Sequence, residues 1–121
     1  FAYAIQDEEF ILKASGDIKR TLGNVESHPV YEIRGNMADS SQEVKFLVNG
    51  ESVTLCGPLS ESDVLVIDTD DMTVKIGTEN ALGQMKELNF PYLKAGTNTI
   101  TFSESTGTLT SVCVKAKSRW L

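Results

Sequence analysis

The residues with chemical potential are few and scattered. His28 is the only histidine and is followed directly by Pro29. One imidazole cannot build a multi-histidine metal site, and no Ser or Cys sits in a recognised nucleophile motif, so His28 reads as a surface-loop residue rather than a general base. The densest acidic group is Asp68, Asp70 and Asp71. Such oxygens suit Ca²⁺, but Ca²⁺ takes six or more ligands, and the Asp-x-Asp-x-Asp-Gly loop with its distal Glu is missing. Asp also favours tight turns because its carboxylate bonds its own backbone, and a turn is the expected role here. With 17 acidic residues in 121, some carboxylates must lie near one another. The sequence does not set the separations that paired-carboxylate catalysis would need.

Stacking of aromatic rings on sugar is the other chemistry to weigh, with Tyr3, Tyr31, Tyr92 and Trp120 as candidates. Tyr31 alternates with Ile33 and is expected in the core, and Tyr92 lies between Pro91 and Leu93 in a segment that reads as packed. Tyr3 and Trp120, near the chain ends, are less constrained, and Trp120 also fits an anchor for the last strand. Cys56 and Cys113 show no Cys-x-x-Cys or Cys/His spacing that would suggest zinc, and they read as two free thiols, with a disulfide between them as the alternative. No catalytic residue, cofactor or metal is expected, no ligand-binding residue is designated, and the chain is read as a non-enzyme.

The elements that must hold these residues are strands. Between Glu43 and Cys56, Val44, Phe46 and Val48 alternate with polar residues, Asn49-Gly50 intervenes, and Val53 and Leu55 alternate again. Asn-Gly suits a two-residue type I′ turn, which needs φ > 0 twice. Pairing Val48 with Glu51 then sets Phe46 opposite Val53 and Val44 opposite Leu55, leaving Lys45, Leu47, Ser52, Thr54 and Cys56 on the other face. A second hairpin fits Val64 to Ile76 with Asp70-Asp71 at its turn, setting Ile67 opposite Val74 and Leu65 opposite Ile76; a four-residue turn would pair the strands identically.

Further strands are expected at Glu9 to Ala14, Asp17 to Leu22, Val30 to Arg34, Asn98 to Ser103 and Leu109 to Lys117. The only helical candidate is Asn80 to Glu87, two turns at most. Many short strands with turn signals between them, and no alternating helices, predict an all-β sandwich or barrel.

Composition agrees. A chain of 121 residues fits one domain, which buries roughly 65% of its unfolded surface. Hydrophobic residues at 40% and charged residues at 23% fit a globular core rather than disorder. The net charge of −6 without a Lys/Arg cluster would repel a phosphate backbone, so no nucleic-acid partner is expected. Apolar runs such as Val64 to Ile67 fall far short of the roughly 20 residues of a spanning helix, and no membrane partner is expected. Phe1 is not an initiator Met and no secretion signal follows it, so the chain is expected to be a piece of a longer parent.

The order of segments carries more than any one of them. It comprises Phe1-Ala2-Tyr3, Gly23-Asn24-Val25-Glu26 leading through Pro29 to Tyr31-Glu32-Ile33, and Leu47-Val48-Asn49-Gly50. Then come Leu65-Val66-Ile67-Asp68-Thr69, Asn80-Ala81-Leu82, Phe90-Pro91-Tyr92-Leu93, Gly96-Thr97-Asn98-Thr99-Ile100 and Arg119-Trp120-Leu121. In this order the chain resembles the C-terminal domain of the distal tail protein (Dit) of siphophages, a phage tail component family. The resemblance implies a single domain over 1–121 that is the C-terminal part of its parent. It implies a two-sheet antiparallel jelly-roll sandwich of galectin-like type with at most one short helix.

By the same resemblance, the parent is a homohexameric ring built by an N-terminal domain missing from this chain. The isolated piece is then a monomer or weak oligomer at the virion tail tip, assembled in the bacterial host cytoplasm, and a baseplate adaptor that docks tail or receptor-binding proteins. Galectin-like shape carries no galectin activity without the site. The galectin His-Asn-Pro-Arg pattern with a later Trp and Glu is missing, since Pro29 follows His28 and Trp120 closes the chain. A carbohydrate-binding module for host cell-wall polysaccharide is the alternative reading, and a domain of a bacterial surface or secreted protein a weaker one.

Overall fold

Alternation with period two decides which side of each strand turns inward, and the computed structural model of the chain follows it strand by strand. The structure describes residues 5–20, 28–86, 89–103 and 106–119, with side chains over 9–19, 28–86, 89–103 and 106–116. Strands run β1 Ile5–Leu12, β2 Gly16–Arg20, β3 Val30–Asn36, β4 Glu43–Val48, β5 Glu51–Cys56, β6 Leu65–Asp68, β7 Thr73–Ile76, β8 Glu79–Asn80, β9 Gly96–Ser103 and β10 Thr108–Arg119. All ladders are antiparallel, in one sheet ordered β1-β10-β3-β6-β7-β8 and another ordered β2-β9-β4-β5. First pairs with last, second with second-to-last, then β3 with β6 and β4 with β5, the nested pairing of a jelly roll with the β7–β8 hairpin added.

Both expected hairpins form in the expected register. Val44 faces Leu55 and Phe46 faces Val53; Leu65 faces Ile76 and Ile67 faces Val74. Asn49 at φ 52° and Gly50 at φ 87° make the left-handed pair that the type I′ turn requires. The second turn is the four-residue form. Positive φ falls at Met72 (57°), beyond Asp70 and Asp71, and the last strand pair is Asp68 with Thr73. The expected helix over Asn80 to Glu87 shrinks to one 3₁₀ turn at Leu82–Gln84, with Asn80 paired to Lys75 in β8 and Glu87 outside the described residues. Of the expected strand from Asp17, residues 21 and 22 also lie outside them.

The core lies between the sheets. Phe10, Val114, Tyr31, Ile67 and Val74 form one row across five strands of the larger sheet. Val44, Phe46, Val48, Val53, Leu55 and Ile100 answer it from the smaller, all at most 1% exposed. The Tyr31 and Phe46 rings meet with centroids 5.8 Å apart, tilted 58°. Each such side chain contributes roughly 1.5–3 kcal/mol by leaving water.

Asn98 is the polar exception, fully buried in β9. Its Oδ1 accepts from Lys94 N at 3.0 Å and from Asn49 Nδ2 at 2.9 Å, and its Nδ2 donates to Lys94 O and Gly96 O. Asn49 in turn accepts from Thr99 N. One buried amide thus ties the β4–β5 turn to the bend before β9. Because Ala removes all four side-chain bonds at a buried position and leaves the part-buried Lys94 N without its acceptor, Asn98→Ala should lower unfolding free energy by about 2–3 kcal/mol. Urea denaturation is the check, and a loss below about 0.5 kcal/mol would contradict the network's role.

Candidate functional site

Three residues that the sequence treats separately meet at one corner. His28 stacks on Tyr92 with ring centroids 4.0 Å apart and 11° between planes, and its Nδ1 lies 3.1 Å from Asp70 Oδ1. Chain direction explains the meeting. Pro29 leads into β3 beside the β6–β7 turn, where Thr69 N and Oγ1 both donate to Pro29 O. Tyr31 fixes the third segment of the corner, the irregular stretch before β9, by donating its hydroxyl to Pro91 O at 2.8 Å. Burial, helped by the Glu51 carboxylate, pushes the Tyr31 phenol far above its ordinary value, so it stays a neutral donor.

The acidic triplet is organised as a turn. Asp68 Oδ1 accepts from Asp70 N at 3.0 Å and Asp71 N at 3.2 Å, the local bonding that makes Asp a turn residue. Among the described residues no three His, Cys, Asp or Glu side chains converge as a metal site. Tyr3 and Trp120 lie outside the described residues.

On the outer face of the larger sheet, Ile11, Cys113, Glu32, Val66 and Lys75 form a cross-strand row. Ile11 is 63% exposed. Cys113 Sγ donates to Glu9 Oε1 at 3.5 Å, while Lys115 Nζ pairs with Glu32 at 3.1 Å. Burial first, then the bond to Glu9 and its charge, push the Cys113 thiol up to about 11; the Glu32 bond and charge raise Lys115. Cys56 is buried at the end of β5 although its face was expected to be the outer one, because the 3₁₀ turn covers it and Gln84 Nε2 donates to Cys56 O. Both cysteines are free thiols.

A cleft of about 420 Å³ opens at the end of the sandwich where β3, the 58–63 loop and the β7–β8 hairpin come together. Met37 and Leu59 exchange backbone hydrogen bonds of 2.9 Å and hold its two walls at fixed spacing. Gly57 allows that approach, since a Cβ there would stand 2.4 Å from Asp39 O. Gln84 closes another side by donating to Cys56 O and Pro58 O, both at 3.0 Å. The sequence signalled none of this, because the wall residues are spread from 36 to 84 and converge only through sheet topology.

Residues 22–120 match the SPP1 Dit family model, described as siphovirus-type tail component, C-terminal domain. The fold matches the crystal structure of the Dit protein of phage SPP1 with a TM-score of 0.70 at 10% identity, covering 98% of this chain and 49% of that one. The chain therefore spans about half the length of that protein, which is described as a paradigm of the hub adsorption apparatus in phages infecting Gram-positive bacteria. No curated protein matches the chain.

The raised Cys113 thiol sets a reactivity. In a Cys56→Ser chain, iodoacetamide should alkylate Cys113 at pH 8 on the order of 100-fold more slowly than an unperturbed thiol, with the rate climbing until about pH 11. Glu9→Gln should restore part of the rate and leave the larger effect of burial. A pH–rate midpoint near 8.5 would contradict this.

Proposed function

The chain belongs to the siphovirus-type tail component family, and from that membership we propose that it is the C-terminal domain of a tail-tip hub protein, an adaptor docking neighbouring tail or receptor-binding proteins. The family match over residues 22–120, which takes in β3 to β10, carries this reading. The parent contains a second, ring-forming half, forms a homohexamer through it, and assembles in the host cytoplasm; this half on its own is a monomer or weak oligomer. Its work is mechanical rather than catalytic. What supports this is membership of a tail component family.

Docking of protein fits the geometry better than adhesion to polysaccharide. One face of the Tyr92 ring is taken by His28, and no aromatic side chain lines the cleft among the described residues. A sugar would therefore find no stacking platform in the cleft.

Antibodies raised against this chain and applied to virions carrying the parent should label the distal end of the tail in negative-stain micrographs. Label on the head or along the tail shaft, or none on intact virions, would overturn the assignment.

A further inference from the structure

The cleft has a composition that selects its occupant. Met37, Leu59 and Ala81 are at most 5% exposed and so lie at its depth, whereas Asp63 and Glu79 are exposed and stand at its mouth. Of the lining residues, these two are charged, both negative, and none is Lys, Arg or His. Neither carboxylate takes part in an ion pair with a described residue. Asp63 Oδ2 accepts from Ser60 Oγ at 2.9 Å, which holds the carboxylate in place and leaves its other oxygen available. The walls are fixed by the Met37–Leu59 bridge and by Gln84, so the cavity does not need to be formed on binding.

A small apolar depth with two unpaired carboxylates at the mouth suits a side chain with an aliphatic stem and a cationic head. We infer that the cleft seats an arginine or lysine presented on a loop of a partner tail protein. This deepens the adaptor reading and rests on it for the partner's identity. Arginine is favoured, because its planar head offers several donors to the carboxylates at the mouth while its stem covers Pro58 and Ile76, the apolar lining residues that keep accessible surface. The attraction is that of exposed charges, so it falls with added salt.

The test is titration of the isotope-labelled chain with N-acetyl-arginine amide, with N-acetyl-citrulline amide as the uncharged match and N-acetylglucosamine as the saccharide arm. The expected result is amide shifts confined to residues around Leu59, Asp63, Glu79 and Gln84 with the arginine compound alone. Binding should weaken roughly fivefold or more in the Asp63→Asn, Glu79→Gln double variant. Both substitutions are isosteric and exposed, and an otherwise unchanged spectrum shows that the fold is kept. Equal shifts with citrulline, unweakened binding by the double variant, no shift at tens of millimolar, or occupation by the saccharide each overturn the inference. Such a failure with the tail tip still labelled by antibody removes this inference alone. Loss of tail-tip label removes the adaptor reading, while the titration still reports on the cleft.

Discussion

Tyr31 stands at the middle of the apolar row that crosses the larger sheet, with Val114 on one side and Ile67 on the other, and its ring meets Phe46 from the opposing sheet. Moving it by one residue would turn the whole of β3 over and place Glu32 between the sheets. Its hydroxyl, far too buried to reach water, takes Pro91 O as its acceptor, which pins the segment before β9 and so the place of Tyr92. The place of Tyr92, and with it the stacking of His28 on its ring, follows from where the Tyr31 ring sits. A core residue thus sets the geometry of a surface corner.

The two hairpins were legible because their information is local. Asn49-Gly50 dictates a turn, the turn dictates register, and register with alternation dictates the buried face. The Asp68–Met72 turn was half legible: its pairing was unambiguous, but the left-handed residue was Met72, which composition gives no reason to choose. Sheet membership was not legible at all. β10 is hydrogen-bonded to β1 on one edge and to β3 on the other, and nothing in Val112, Val114 or Ala116 names partners about 80 to 100 residues away in sequence. Pairing at that range is decided by which sandwich buries every apolar face at once.

The same reason explains what was missed at the candidate sites. Asn98 reads as the polar first residue of a strand, whereas it is a buried hub whose four bonds are supplied by Asn49, Lys94 and Gly96. His28, Asp70 and Tyr92 were weighed one by one because no spacing joins them. The cleft is invisible in sequence, since Met37 and Leu59 become neighbours only through a bridge between irregular segments. The family, by contrast, was legible from the order of segments, which survives where identity to a solved relative has fallen to 10%.

How a sandwich recruits partners depends on what its edges permit. An unpaired edge invites strand addition, and two of this fold's four sheet edges are closed to it. Along β5 the edge is covered: Leu55 bridges Met85, Lys86 N donates to Thr54 O and Asn89 Nδ2 donates to Ser52 O. At the far end of the larger sheet β8 is two residues long, too short to template a partner strand. On the opposite flank β1 carries the run Asp7-Glu8-Glu9, whose charge opposes pairing with another copy of itself. Side-chain insertion into a preformed cleft, as proposed above, would leave the ladders undisturbed. It would also give specificity, because a partner lacking the cation would leave two carboxylates unanswered at the mouth.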